Sequence, residues 1–373
     1  MILVISVVGF AVDGWQSDQS KVPDSGNVSE NTDNADENKD GTQNAEKDPE
    51  SIGNNTDNTD DSDGTSDGAE IESPTVFTNP LTGLVITEKE YSSLPIGVII
   101  NPTAPLYGVS KCDLAIEFPI EDGSSRLLTY LSGEEILWKI GSLSASRKFI
   151  SGMSDFFGGI VVCYENDDKV SYNAWQTNEL TLDLSVYSDA YYAENTLYVY
   201  TSESMINTAL NRNYELALST DTAYKSAPYS FAEEGSTVKG TTSASTLIIP
   251  FSSSNETELY YHEGSGKYLY YKGDNRRMDM LTGENISFTN VFILFSNATT
   301  YENSDGCELV IDTVAGGRGY YISNGGLSEF LWSTNESGEL VFKNLKGEAL
   351  EVNRGNAYIA YYKASLASNI IFT

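Results

Sequence analysis

The sequence has little of what several common chemistries require. It carries 22 basic residues against 54 acidic ones, a net charge of −32 over 373 residues, and its only histidine is His262. Nucleic-acid binding needs a basic face, and nucleophilic triads usually need a histidine as their base. We therefore predict no nucleic-acid partner, and we interpret His262 as a structural residue of a tyrosine-rich strand. No apolar run reaches the roughly 18 residues of an ordinary transmembrane helix.

Cysteine is also scarce. Cys112, Cys163 and Cys307 make an odd number, and no two of them form a C-x-x-C pair. This pattern argues against a disulfide framework and against a zinc site. A glycine-rich phosphate loop between strand and helix is missing too, as is a dinucleotide fingerprint. The sequence therefore predicts no metal and no cofactor.

The first fifteen residues are an apolar, signal-like segment. Met1–Val12 has the length of a signal-peptide core and is followed by small residues and a polar tract. A buried strand in this place would have nothing to pair with, so we favour an export signal or an anchor. The prediction is an extracytoplasmic protein that is secreted or associated with membrane or wall, and that meets the membrane only through its N-terminus.

Residues 16–75 are predicted to be a disordered acidic linker. Between Gln16 and Ser73 there are 17 acidic residues, three lysines and no aromatic residue, a net charge of −14. Such a segment cannot bury enough apolar surface to offset the entropy of the chain, and its like charges extend it. A tether is the simplest interpretation, with a low-affinity cation-binding tract as the alternative. The remaining residues carry −18.

The fold class predicted for the rest is α+β, in two domains. Residues 76–235 form the first, a mixed α/β unit in which Asp113–Glu121 alternates strictly and makes a hairpin with Arg126–Leu131. Its helices are expected at Ser144–Phe157 and at Ser202–Leu218, the second capped by Ser202.

The second predicted domain spans residues 245–373, beyond a joint rich in Gly, Ser and Thr. Short strands such as Leu247–Phe251, Tyr268–Lys272 and Phe288–Phe295 recur there between glycine-containing turns. Regular short strands with such turns are typical of an antiparallel sheet or barrel. Paired tyrosines such as Tyr361-Tyr362 place one ring on each face of a strand, so one of each pair is expected to be exposed. Such tyrosines are either ordinary β-sheet composition or a binding surface for sugars or proteins.

Short motifs along residues 78–363 are similar to those of one bacterial family. Asn79 to Leu84 reads Asn-Pro-Leu-Thr-Gly-Leu, and Asp113 with Glu117 fits an Ala-Asp-x-x-x-Glu strand. Further matching positions are Glu121, Gly123, Arg126, Gly141, Arg147, Asp279, Thr282, Gly283, Asn290, Val291, Gly316, Gly319, Trp332, Gly347 and Gly355. In these positions the sequence resembles the YerB-like family of bacterial envelope lipoproteins. The resemblance implies a two-domain envelope protein, and it implies no specific activity.

The sequence also departs from that family at polar positions. Ala104-Pro105-Leu106 stands where the family has Arg-Pro-Gln, Ser144 replaces the first of two arginines, and Arg277 replaces a histidine. Trp15 lies where the lipid-bearing cysteine would be, so lipidation is not supported. If the family has a pocket lined by these side chains, this chain would bind differently or not at all.

The predicted site residues are Asp113, Glu117, Glu121, Arg126 and Arg147. Successive acids lie four residues apart on the predicted strand, about 13 Å by strand rise, whereas two-carboxylate glycoside hydrolysis needs about 5–9.5 Å. Two interpretations stay open: a salt-bridge network on a half-covered sheet, or a polar cleft in which the arginines hold an anionic or glycan ligand.

Two functions follow from these patterns. The first is a non-enzymatic binding or accessory protein of the envelope, whose partner is a cell-wall glycan or an envelope protein. The alternative is an enzyme acting on peptidoglycan, with Glu117 as a general acid whose pKa is raised by an apolar wall.

Overall fold

The computed structural model describes residues 75–131, 137–165, 180–194, 197–213, 216, 224–303 and 306–373. All of them belong to one compact unit, Ile71–Thr373. The signal-like segment and all but the last residue of the acidic linker lie outside the described residues, so both stay predictions. No helix in the described ranges is long and apolar enough to cross a membrane.

Strands dominate this unit. Those of the first half are β1 (Phe77–Thr78), β2 (Val85–Ile86), β3 (Ile96–Ile100), β4 (Cys112–Pro119), β5 (Ser125–Leu131), β6 (Ile140–Gly141), β7 (Ile160–Cys163), β8 (Thr181–Asp183), β9 (Tyr192–Glu194) and β10 (Tyr198–Thr201). The short helices are α1 (Glu88–Tyr91), α2 (Lys148–Ser151), α3 (Ser154–Phe157) and α4 (Glu203–Arg212), with 3-10 turns at Val109–Lys111, Leu184–Val186 and Ala364–Asn369.

The second half is built almost wholly of strands. They are β11 (Ser230–Phe231), β12 (Thr242–Ser243), β13 (Thr246–Ser252), β14 (Asn255–His262), β15 (Lys267–Lys272), β16 (Asn275–Arg276), β17 (Ser287–Phe288), β18 (Asn290–Ser296), β19 (Ala298–Asn303), β20 (Gly306–Ile311), β21 (Gly317–Ser323), β22 (Gly326–Thr334), β23 (Leu340–Asn344), β24 (Glu351–Val352), β25 (Ala357–Lys363) and β26 (Ile371–Phe372).

One large central sheet takes strands from both halves of the chain. Its order is β12-β22-β21-β18-β25-β4-β5-β3-β7-β8, and β23 also pairs with β22. The two halves meet where β25 pairs in parallel with β4, with Ile359 opposite Ile116. The division into domains at 235–245 stays a prediction, but both predicted segments contribute strands to this one sheet.

A second, antiparallel sheet covers one face of the central one. Its order is β16-β15-β14-β13-β26, with β17 paired to β15. Neighbouring residues of β3 show the two faces: Val98 packs in the core shared with the second sheet, and Ile99 packs in the core under α2 and α3. The central strands are therefore buried on both sides.

The fold is β-rich with little helix, so it agrees only loosely with the predicted α+β class. The helix predicted at Ser144–Phe157 is reduced to α2 and α3, and Gly152 lies between them. The helix predicted at Ser202–Leu218 begins as predicted, because Ser202 Oγ caps α4 by accepting a hydrogen bond from Met205 N, but α4 ends at Arg212. The hairpin of β4 and β5 is also confirmed, with Phe118 opposite Arg126.

Gly159 lies where the chain turns tightly into β7. Its φ is +73°, and a Cβ there would lie 2.2 Å from the carbonyl oxygen of Pro95. Gly283 has the same φ of +73° but open space around it. We expect Gly283→Ala to cost about 1–2 kcal/mol of folding free energy for the left-handed backbone, and Gly159→Ala to cost about 1–3 kcal/mol more for the overlap.

Denaturant unfolding of the two glycine variants measures this difference directly. Both glycines have the same φ, so the cost of a left-handed alanine is the same in the two variants. Any larger loss of folding free energy in Gly159→Ala therefore reports the overlap with Pro95. Equal losses would contradict the close approach between Gly159 and Pro95.

Candidate functional site

Glu117 lies at the centre of a polar network between the central and second sheets. Its side chain is fully buried, and Lys272 Nζ lies 2.7 Å from Glu117 Oε1. The remaining donors to the carboxylate are Ser125 Oγ (2.5 Å), Thr257 Oγ1 (2.8 Å), Tyr270 OH (3.0 Å) and Tyr358 OH (2.7 Å). These residues come from β4, β5, β14, β15 and β25, so the network ties the two sheets together.

This network keeps Glu117 ionised. Burial alone would raise the pKa of Glu117, but the charge of Lys272 and the hydrogen bonds from Lys272, Ser125 and Tyr358 lower the pKa below its ordinary value. The pKa values of Tyr270 and Tyr358 rise well above the ordinary range, through burial and through the charge of Glu117. The tyrosines therefore stay protonated as donors.

The geometry argues against Glu117 as a general acid. A general acid needs a raised pKa and contact with a substrate. Glu117 instead has a lowered pKa, no exposed surface and an ion pair with Lys272. The sequence predicted a partner among the arginines; the structure supplies a lysine about 155 residues further along the chain.

The other face of the same hairpin carries an arginine cluster. Arg147 Nε lies 3.1 Å from Glu121 Oε1, and Arg147 Nη2 also bonds that oxygen. Arg126 lies close enough that burial first, and the charge of Arg147 second, lower its pKa. Since Arg126 is opposite Phe118, which packs under the helices, it lies on the face opposite Glu117. The structure brings together Glu121, Arg126 and Arg147, but not Glu117.

Asp113 lies apart from the other predicted site residues. The pairing of β4 with β5 shifts register between Cys112 and Leu114, and this bulge interrupts the alternation that the sequence predicted. Asp113 Oδ2 accepts a hydrogen bond from Asn79 Nδ2 at 2.9 Å. Asn79 Oδ1 in turn accepts from Leu81 N at 2.8 Å, closing the turn of the Asn-Pro-Leu-Thr-Gly-Leu motif. The acid therefore holds a turn.

Asp279, from the second half of the chain, joins that half to the first. Its carboxylate is fully buried and accepts hydrogen bonds from Gly108 N (3.0 Å) and from Ser110 N (2.8 Å) and Oγ (2.7 Å). Leu281 N completes the set at 2.8 Å. The match to the family at Asp279 therefore has a structural explanation, because its carboxylate binds the 3-10 turn beside β4.

Two departures from the family pattern touch each other in this region. Arg277 replaces a histidine of the family pattern, and Ala104 replaces an arginine. Arg277 Nη2 donates a hydrogen bond to the carbonyl oxygen of Ala104. Burial lowers the pKa of Arg277, whose Nε is buried without a hydrogen-bond partner. The guanidinium thus contacts the segment from which the family's arginine is missing.

A groove with cationic ends opens on the outer face of the second sheet, and we treat it as the candidate site. Its volume is about 430 Å³. It is lined by Ser110, His262, Ser265, Lys267, Leu269, Arg276, Glu284, Asn285 and Ser287. We call this set the cationic groove. Along β15, Lys267 and Leu269 are half-buried and face it, whereas Tyr268 and Tyr270 are buried and face the core.

The charges of the cationic groove suit an anion. Glu284 is its only carboxylate, and Glu284 Oε2 lies 3.9 Å from Lys111 Nζ. Lys267 and Arg276 form no ion pair with another described residue. His262 Nδ1 lies 3.0 Å from Ser265 Oγ, which orients the ring at the groove end. Across the described ranges, no three His, Cys, Asp or Glu side chains lie together as a metal site.

Sequence reasoning missed the cationic groove. The sequence predicts a structural role for His262, and its motifs do not include Lys267 or Arg276. They line one groove only because the hairpins of β14, β15 and β16 place them on one outward face. Outward alternation along β15 was the one local signal that could have pointed to them.

The comparisons with known proteins show similarity to a domain of unknown function and to a solved structure. Residues 247–359 match the family model described as the C-terminal domain of a protein of unknown function (DUF3048). A search of curated proteins gave no significant match. The crystal structure of the YerB protein from Bacillus subtilis is similar, with a TM-score of 0.67 and 19% identity, over 80% of this chain and 99% of that chain. The matched domain and the shared fold confirm the resemblance to the YerB-like family, whose function is unknown.

Proposed function

We propose that the protein is a non-enzymatic binding protein of the bacterial envelope and that it holds an anionic cell-wall glycan in the cationic groove. The observation that carries this proposal is the groove itself, which exposes Lys267, Arg276 and His262 within a unit that is otherwise acidic. The envelope location rests on the signal-like residues 1–15 and on the family resemblance.

The lining supports recognition of an acidic sugar polymer. Lysine and arginine bind phosphate or carboxylate by charge-assisted hydrogen bonds, and serine and asparagine side chains bond sugar hydroxyls. Leu269 offers an apolar patch in the floor of the groove. Because the Debye length is about 8 Å at physiological salt, the distant negative charges of the unit are screened while contacts inside the groove are retained.

Replacing both groove cations should abolish most wall binding. In co-sedimentation of the full chain with purified bacterial cell walls, we expect Lys267→Ala/Arg276→Ala to lower the affinity by about tenfold for each lost charge-assisted contact. Walls stripped of their anionic polymers by acid extraction should bind the wild type as weakly as intact walls bind this variant.

A matched control is available on an exposed edge. Lys343→Ala/Lys346→Ala removes the same charge from β23 and its turn, away from the groove. We expect wall binding close to wild type for this control. Equal losses in the two double variants would show that only net charge matters and would refute the groove as the site.

A further inference from the structure

The two cationic ends of the groove lie far apart along β15. His262 is opposite Lys267 at one end, and Arg276 is opposite Tyr271 at the other. Four residues separate Lys267 from Tyr271, which is about 13 Å at the rise of an antiparallel strand. Since side chains stand roughly perpendicular to a sheet, the cationic groups keep much of this separation.

The stretch between the ends offers no cation. Leu269 and Ser287 are opposite each other at its middle, and Ser110 and Asn285 add uncharged lining. The one carboxylate of the lining is Glu284, whose Oε2 lies 3.9 Å from Lys111 Nζ. A hydrogen bond spans only about 3 Å, so a single phosphate or carboxylate engages one end and leaves the other free. A volume of about 430 Å³ is also far larger than such an ion, and it lies within the range of sites for drug-sized ligands.

We propose that the groove binds an extended polyanionic chain through at least two of its anionic groups at once, with the intervening chain lying over Leu269. This inference rests on the proposed function and names the class of its ligand: a polymer with regularly repeated phosphate or carboxylate groups. Once one end is bound, the second contact is intramolecular, so affinity rises with chain length without any new contact type.

Chain length is the variable that tests the inference. With the full-length protein, we expect orthophosphate to bind weakly and polyphosphate to bind at least tenfold more tightly once the chain spans both ends. Galacturonic acid and its oligomers form the parallel carboxylate series, and the tighter series identifies the anionic group. Equal affinity for the single anion and the long chain would overturn the inference.

Single substitutions separate the two ends. In Lys267→Ala and in Arg276→Ala, the gain from chain length should disappear, while each variant keeps weak binding of orthophosphate. If both substitutions instead abolish orthophosphate binding, one anion is held by both cations and the inference fails. An oligonucleotide that binds as tightly as polyphosphate of equal charge would overturn selection of a wall polymer.

The outcomes distinguish this inference from the proposed function. Wall binding that needs the groove but shows no dependence on chain length overturns only the two-contact mode. Length-dependent binding of the soluble polymers without binding to walls overturns the envelope role and leaves the two-contact mode intact. Lys343→Ala/Lys346→Ala is again the charge-matched control, and it should keep the full dependence on length.

Discussion

Replacing Glu117 with alanine should lower the free energy of unfolding by about 3–5 kcal/mol. The change leaves the ammonium of Lys272, whose side chain is 5% exposed, as a buried charge without a carboxylate. It also removes the acceptor of Thr257 and Tyr358. Denaturant unfolding of the full chain at neutral pH should show a lower midpoint with an unchanged slope, because the surface exposed on unfolding stays the same.

The partly exposed pair of Glu121 and Arg147 provides the control. Glu121 keeps 15% of its side chain exposed and Arg147 keeps 9%, so Glu121→Ala should cost about 1–3 kcal/mol, less than Glu117→Ala. A double variant that replaces Glu117 and Lys272 by leucine and methionine should lose less stability than Glu117→Ala, because no charge is left unpaired. Similar losses for Glu117→Ala and Glu121→Ala would contradict the buried network.

The same ion pair gives a pH dependence of known sign. The pKa of Glu117 is lowered in the folded state. Its contribution to the free energy of unfolding is therefore fully present when the pH lies above about 4.3, the ordinary pKa of a glutamate. That contribution is lost as the pH falls below 4.3 through the folded-state pKa. The stability difference between wild type and Glu117→Gln should therefore narrow on acidification below pH 4.3 and stay constant near neutrality.

Local patterns predicted the local structure well. The alternation of Asp113–Glu121 and the turn before Arg126 predicted the hairpin of β4 and β5, and the cap at Ser202 predicted α4. Both features depend on contacts between residues close in sequence. They could therefore be worked out from periodicity and capping alone.

Long-range pairing could not be predicted in the same way. β25 enters the central sheet between β18 and β4, parallel to both, and no local pattern states which strand lies beside it. This insertion buries both Tyr361 and Tyr362, although one of them was expected to be exposed. A strand covered on both faces hides the alternation that would reveal its surroundings.

The sequence predicted which types of residue form the ion pairs, but not which residues contact each other. Of the arginines and acids predicted from the sequence, Arg147 and Glu121 do form an ion pair. Strand register decides which residues face each other, and Arg126 lies opposite Phe118 rather than Glu117. The partner of Glu117 is Lys272, on a strand of the other sheet. The register shift at Asp113 also had no signal in the sequence, which predicted strict alternation from Asp113 onward.

Asp279→Ala should cost about 3–5 kcal/mol, an effect as large as that at Glu117. Removing the carboxylate leaves the amides of Gly108, Ser110 and Leu281 without their acceptor, and each buried unsatisfied donor costs about 1–3 kcal/mol. Asp279→Asn keeps one acceptor oxygen and should fall between the alanine variant and wild type. Denaturant unfolding measures the loss, and hydrogen exchange at Gly108 and Ser110 locates it.

Asp312 supplies the matched control for Asp279. Its carboxylate also accepts two backbone amides, those of Val314 and Ala315, but within an exposed local turn. Asp312→Ala should therefore cost only about 1 kcal/mol, as for loss of a helix cap. If Asp279→Ala costs no more than this, the carboxylate does not hold the two halves together.

Because Ser110 lines the cationic groove, Asp279→Ala should also weaken wall binding in protein that remains folded. Asp312→Ala should leave wall binding unchanged.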